Sequence, residues 1–226
     1  MKVDKVIYTA IFGDKDNLQP IPKLEDYDYL VFTDNKELTS SVYQVVLCPP
    51  LYEDPTRNAR RYKVLSHEVL SNYRYSIWMD SNITMHTLDV NALLDCYLAR
   101  HDIALHAHPY RDCIYDEAST CMKLGKDSSS VIERQMERYR AEGYPKRNGL
   151  VSAGIIYRRH TSTIAKLNTC WWKEIEAHSR RDQLSFNYVT WKHGIEYFVI
   201  EGHVRKQNVE GFSIGAHKKR RDYRYW

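Results

Sequence analysis

The residues best placed for chemistry in this chain stand at Trp78-Met79-Asp80-Ser81-Asn82. An apolar run ends abruptly there on acidic and amide side chains. This would present oxygen ligands at the carboxyl edge of a sheet, where open α/β sheets take their ligands. One residue separates Asp80 from Asn82, so a local turn could aim both at one divalent ion. Hard oxygen ligands suit Mg²⁺ or Mn²⁺, and such an ion would also hold two phosphate groups of a substrate. Asp and Asn equally favour a plain strand-ending turn, and the tripeptide alone does not choose between the two readings.

A diphosphate needs more positive charge than one ion supplies. Arg60, Lys63 and His67 lie three and four apart on the helix expected before this strand, so they share a face. Their ordinary alternative is a solvated helix surface. In His106-Ala-His108-Pro-Tyr-Arg111-Asp112, two imidazoles two apart at a strand end point to one face. No third or fourth ligand follows at zinc spacing. Hydrogen bonding to a polar substrate fits better, with Arg111 pairing with carboxylate or phosphate and Glu117 nearby; a structural histidine is the alternative for each. Arg181-Asp182-Gln183 opens another helix. Asp182 there is either an N-terminal cap or, in a cleft, a general base on a hydroxyl with Gln183 orienting the substrate. Ser152-Ala153-Gly154 inside a strand marks a bulge or a close backbone approach.

The elements that must position these residues alternate between strand and helix, which predicts an α/β domain. Strands are expected at Val6–Phe12, Tyr29–Thr33, Tyr75–Met79, Ile103–Ala107, Leu150–Tyr157 and Ile195–Ile200. Helices are expected from Asp54-Pro55 onward, at Leu88–Arg100, Ser130–Glu142 (exposed and charged), Ser162–His178 and Asp182–His193. The polar stretch Arg111–Asp127 carries no clear assignment. In the first helix Ala59, Tyr62, Leu65 and Val69 form the stripe expected to be buried.

With 226 residues, 27% charged and 43% hydrophobic, the chain has the make-up of one globular domain. Net charge is +4, and the last nine residues, KKRRDYRYW, carry five basic and one acidic side chain. The body is therefore neutral, which argues against a nucleic-acid partner. The tail reads as a solvated terminus or as a peripheral contact with an anionic membrane surface. Five cysteines without a C-x-x-C pair suggest free thiols in a reducing compartment. No run approaches membrane-spanning length, and the first residues lack a signal peptide's apolar core. A cytoplasmic protein, peripheral to a membrane if the tail binds one, is expected.

Seven segments in order carry a resemblance over nearly the whole chain: Ile7-Tyr-Thr-Ala-Ile-Phe-Gly13, Phe32-Thr-Asp34-Asn35, Ala59-Arg60 with Lys63, Ile77-Trp-Met-Asp80-Ser-Asn82, His108-Pro with Arg111-Asp112, Arg158-Arg159-His160, and Arg181-Asp182-Gln183-Leu184-Ser185-Phe186. The chain resembles the glycosyltransferase-like family of TOD/MUCI type, which includes plant mucilage- and pollen-related proteins and bacterial members. The resemblance implies a GT-A fold, a single mixed α/β domain over residues 1–217 followed by a basic tail, 218–226. Its nucleotide-binding half would be about 1–110 and its acceptor half about 111–217. It implies that Thr9, Ala10 and Phe12 of the first strand flank the nucleotide and that Asp34 contacts base or ribose. Asp80-Ser81-Asn82 would stand where the family fold places its D-x-D metal motif, with Asn in the third position. A histidine near the carboxyl terminus would complete the metal site: His217, with His203 in reserve.

The implied reaction moves a sugar from a nucleoside diphosphate, UDP being the commonest donor for this fold, to a hydroxyl of a glycan acceptor. A Mn²⁺ or Mg²⁺ ion with Arg60, Lys63, Asp80 and Ser81 would handle the donor phosphates. His106, His108, Arg111 and Gly154 would meet sugar or acceptor. Asp182, with Arg181 and Gln183, would serve as base if configuration inverts, or orient the donor if it is retained. Two competing classes remain: a nucleotide-sugar pyrophosphatase or nucleotidyltransferase, disfavoured by the lack of a G-x-G loop after the first strand, and a non-catalytic glycan-binding module.

Overall fold

The computed structural model describes residues 3–207, 209, 211–215 and 218. In chain order its elements are β1 (Lys5–Ile11), β2 (Asp28–Thr33), β3 (Gln44–Leu47), α1 (Pro55–Val64), α2 (Ser66–Val69), β4 (Tyr75–Met79), β5 (Ile83–Met85), α3 (Val90–Tyr97) and β6 (Ile103–Ala107). There follow α4 (Ile114–Lys123), α5 (Ser129–Ala141), β7 (Val151–Arg159), α6 (Ser162–Ala177), a 3₁₀ turn (Asp182–Leu184), α7 (Phe186–His193), β8 (Phe198–Ile200), a second 3₁₀ turn (Val204–Lys206) and β9 (Phe212–Ile214).

Seven strands form one sheet in the order β3-β2-β1-β4-β7-β6-β8, and β5 pairs with β9 in a separate two-stranded ribbon. All neighbours in the large sheet are parallel except β7, which runs antiparallel to both β4 and β6. This is the mixed α/β sheet flanked by helices that the sequence leads one to expect. One consequence decides the site. The carboxyl ends of β1, β2, β4 and β6 and the amino end of β7 meet at one edge.

The strands are apolar on both faces because both faces are covered. Tyr8, Trp78, Leu105 and Ile156 face a core shared with Ile132, Trp171 and Phe186 from the helices. Ile7, Ile77, Ala104 and Tyr157 face the opposite core with Leu94 of α3. Each fully buried side chain of this size contributes about 1.5–3 kcal/mol.

α1 begins as the sequence indicates: Asp54 accepts a hydrogen bond from Thr56 N at 3.0 Å, with Pro55 in the first turn. Gly13, at φ +65°, closes β1, and a Cβ there would sit 2.7 Å from Pro55 Cγ. The start of α1 is thus pressed onto the strand end. Tyr62 and Leu65 are buried as anticipated, with Ala59 and Val69 partly covered.

Several expectations need correction. The unassigned stretch contains a full helix, α4. The Asp182–His193 helix is broken into a 3₁₀ turn and α7. α5 is amphipathic rather than exposed, burying Ile132, Gln135, Met136 and Tyr139. His67 parts from Arg60 and Lys63, because α1 stops at Val64 and His67 lies in α2, facing Asn168 and Thr169.

Candidate active site at the carboxyl edge of the sheet

Asp80 follows β4 directly. Its N–H donates to Gly154 O at 2.8 Å, and Ile83 N closes a turn onto its carbonyl at 2.9 Å. Trp78, two residues earlier on the strand, points the same way. Its indole Nε1–H donates to Asp80 Oδ1 at 2.8 Å. Lys63 Nζ reaches the same oxygen at 3.3 Å and Arg60 Nη1 lies 3.9 Å away. Gly154 lies against this turn: a Cβ there would come within 3.3 Å of Ile83 Cδ1 and make ordinary contact with the other Asp80 oxygen at 3.7 Å.

Asp182 enters from the opposite side. Lys63 Nζ is 2.6 Å and Arg60 Nε 3.3 Å from Asp182 Oδ2, and the Lys63 and Asp182 side chains are 1% and 2% exposed. Local structure fixes this approach. Trp171 Nε1 donates to the Asp182 carbonyl at 3.0 Å. Arg57 of α1 donates to the carbonyls of Ile175, Glu176 and His178 at the end of α6. Arg180 pairs with the Asp54 carboxylate at 3.1 Å. The 179–182 segment is therefore strapped to α1, and its acid meets that helix's cations.

Burial opposes ionisation of Asp182, but Arg60, Lys63 and Arg181 outweigh it and hold the carboxyl far below the usual range. A general base needs a pKa near the working pH. Asp182 in this setting is a fixed anion that positions Lys63 and Arg60, which supports its orienting role rather than proton abstraction. Nor does it cap the turn in the usual way: the backbone N–H it accepts, at 3.2 Å, is that of the adjacent Gln183. Burial and the neighbouring Arg60 pull the Lys63 ammonium below its ordinary value, while Asp182 and Asp80 hold it up. Three cations facing two carboxylates leave the cluster with surplus positive charge, the sign a diphosphate requires.

Other expected residues are placed as follows. Asp34, at the end of β2, accepts the Gly13 N–H at 3.1 Å and 3.2 Å with its two oxygens, tying the ends of β1 and β2 together. Thr9, Ala10 and Phe12 are buried; the Phe12 ring stacks on Tyr62 at 5.4 Å and belongs to the core. Ser81 lies in the turn after Asp80. Arg181 Nη2 donates to Gln183 Oε1 at 2.8 Å. Arg111 pairs with Glu117 at 2.6 Å, and His108 Nε2 lies 3.5 Å from that same carboxylate. Arg181 links this second cluster to the first, since its charge acts on Cys121 and on both Asp182 and Glu117.

His106 is not brought to the cleft. The ladder slips between Leu105 and His106, and the imidazole is sealed at 2% exposure against Gly202 O at 3.2 Å. Burial lowers its pKa to about 4. His203 is likewise inside, with Nε2 2.8 Å from Ser152 Oγ, and His217 lies outside the described residues. Asn82 is buried, its amide nitrogen donating to Gly215 O at 3.3 Å. Among the described residues no group of three or more His, Cys, Asp or Glu could hold a metal. Asp80, at 32% side-chain exposure, and the buried Asn82 would offer a hard ion two oxygen donors, and any further ligands would have to come from a substrate.

Sequence reasoning did not anticipate that the Trp78 indole binds Asp80. Its spacing of two from Asp80 on a strand was the available signal.

The chain is 30% identical to a probable hexosyltransferase, MUCI70, of Arabidopsis thaliana, over 66% of this chain and 27% of that protein. It is 26% identical to the alkaline ceramidase TOD1 of the same plant, over 83% of this chain and 48% of that protein. The chain thus spans less than half the length of either relative. Among solved structures, a glycosyltransferase involved in glycosylation of the major capsid of PBCV-1 aligns with a TM-score of 0.38 and 9% identity, over 71% of this chain and 67% of that one. The family model described as TOD1/MUCI70, glycosyltransferase-like domain, matches residues 30–213, and the chain belongs to that family.

Proposed function

We propose that the domain transfers a sugar from a nucleoside-diphosphate donor, UDP being the expected nucleotide, to a hydroxyl of a glycan acceptor. The observation that carries this reading is the convergence of Lys63 and Arg60 on Asp80 at the carboxyl edge of the sheet. Cleavage at the anomeric carbon leaves negative charge on the departing phosphate, and preorganised cations in a part-buried site stabilise such charge as it develops. Lys63 is aimed by Asp182, and Asp80 is aimed by Trp78. Donor phosphates arriving beside Asp80 would meet Lys63 and Arg60 while Asp182 continues to hold both cations from behind.

A Mn²⁺ or Mg²⁺ ion held by Asp80 and Asn82 together with the diphosphate would add Lewis-acid stabilisation of the leaving group. Asp182, being pinned, orients the cations and the donor instead of accepting the acceptor's proton. Localisation is proposed as cytoplasmic, with peripheral membrane contact through the basic tail, residues 218–226. Among the described residues no helix is long and apolar enough to cross a membrane.

The test is a thermal-shift and hydrolysis screen of nucleotide sugars with and without Mn²⁺. A donor that raises the melting temperature by mass action and releases nucleoside diphosphate supports the reading. Protein that hydrolyses ceramide, the activity named for the second relative, and no nucleotide sugar would overturn it.

A further inference from the structure

Away from the charged cluster, a cleft of about 320 Å³ opens where α7 meets the loops before β7 and β8. Its lining includes Asn148, Asn187, Thr190, Trp191, Glu196 and Tyr197. Trp191 is 40% exposed, which is unusual for so large a ring. It is nonetheless held: its ring meets Tyr144 edge-on at 5.3 Å and lies 6.1 Å from Tyr188. Tyr144 and Tyr188 in turn pack on each other and on Tyr139. A ring fixed before binding loses little side-chain freedom when a ligand covers it.

Two of the polar side chains beside the ring, Asn187 and Tyr197, are held as well, while Asn148 and Glu196 are exposed at the rim. Asn187, buried at 1%, accepts from Val151 N at 3.2 Å and donates to the Tyr197 hydroxyl at 2.7 Å. The Tyr197 O–H is left to donate elsewhere, beside the carboxylate of Glu196 and the amide of Asn148. One flat aromatic face ringed by a phenol, an amide and a carboxylate matches a pyranose, which offers C–H bonds on its faces and hydroxyls at its rim.

The cleft also shares its framework with the charged site. Asn187 grips Val151 at the amino end of β7, and Gly154 of that strand accepts the Asp80 N–H. Three strand residues span about 10 Å. The 3₁₀ turn that carries Asp182 runs on into α7, which carries Trp191. The two lie nine residues apart across the break between turn and helix, and Trp191 is five residues into α7, about 8 Å along its axis from Phe186. A chain of a few sugar units can occupy both places.

We infer that this cleft is a subsite for a pyranose unit of the acceptor glycan, remote from the reacting hydroxyl; its assignment to the acceptor rests on the glycosyl-transfer reading above. Trp191 supplies the stacking face, and Asn148, Glu196 and Tyr197 hydrogen-bond the ring hydroxyls.

The probes are hexasaccharides of glucose, galactose, mannose and xylose, titrated by calorimetry and tryptophan fluorescence. At least one should bind saturably, and Trp191→Ala should weaken it about tenfold or more, as loss of a stacked anchor does. Trp191→Phe should recover part of that loss. Asn148→Ala and Glu196→Gln, at exposed positions that do not threaten folding, should each weaken it several-fold. Hydrolysis of the donor without acceptor should be unchanged in all four variants. No saturable binding by the wild type, or wild-type affinity in Trp191→Ala and Asn148→Ala, overturns the subsite. Trp191-dependent binding in a protein that hydrolyses no nucleotide sugar would keep the subsite and remove the transferase reading instead.

Discussion

Lys63 Nζ lies 2.6 Å from Asp182 Oδ2, with both side chains sealed from solvent. The two residues are far apart in sequence, and their pairing joins α1 to the turn before α7. Removing one partner of a buried ion pair leaves an uncompensated charge, which costs about 3–5 kcal/mol. Asp182→Asn should therefore lower stability by about that amount in urea unfolding at pH 7. The double variant Lys63→Met, Asp182→Leu should regain most of it while remaining inactive toward any donor. If Asp182→Asn is as stable as wild type, the pair does not hold the site together.

The pinned state of Asp182 also bears on the pH profile. A carboxylate held far below its usual range does not titrate between pH 4 and pH 8. The residual turnover of Asp182→Asn should keep the wild-type shape of kcat against pH, only lower. Loss of an acid limb in that variant would restore Asp182 as the base.

Trp78→Phe keeps the packing of β4 but deletes the hydrogen bond to Asp80 Oδ1. Because the acceptor is a carboxylate, stability should fall by about 1.5–3 kcal/mol. Turnover of donor should fall about tenfold, with nucleotide affinity measured by calorimetry changing less. Lost stability with turnover of the folded protein unchanged would mark Trp78 as packing alone.

Asp80→Asn should raise the Mn²⁺ concentration needed for half-maximal nucleotide binding by about tenfold or more, since a hard ion loses a charged ligand. The readout is calorimetric, with no turnover required. Metal-independent nucleotide binding by the wild type would assign the phosphate contact to Lys63 and Arg60 alone.

Four imidazoles give the fold an acid sensitivity. Burial lowers His106, His108, His160 and His203 to about 4. The unfolded chain binds these protons near pH 6.5, before the folded one does, so stability falls as pH drops from about 6.5 to about 4. Each residue contributes up to about 1.4 kcal/mol per pH unit in that window. His106→Gln should flatten the slope of melting temperature against pH, and a slope unchanged by the substitution would count against a buried neutral His106.

The strands that end on the site were legible because their apolar runs stop at Asp34, Asp80 and His108. Pro after Asp54 announced α1 in the same way. α4 was missed although Ile114, Ala118 and Cys121 keep helical spacing; the polar residues between them masked the face. β3 is a four-residue edge strand, and β5 and β9 have three residues each and exist only by pairing across the chain. No local pattern can show such a pairing. The same holds for Lys63. A lysine on a charged helix reads as solvated, and only tertiary contact with Asp182 and Asp80 reveals it as buried. Trp78 was readable from strand alternation, whereas Trp191 was not, since its exposure depends on how Tyr144 and Tyr188 stack beneath it.

The β5–β9 ribbon has a practical corollary. Gly215 N donates to Asn82 O at 2.7 Å just beyond β9, so whatever continues past that glycine sets out from the wall of the reaction cleft. β1, by contrast, starts at the far rim of the sheet. A reporter fused ahead of Lys5 would leave the cleft open, and cutting the chain before Phe212 would unclasp Asn82 from Gly215.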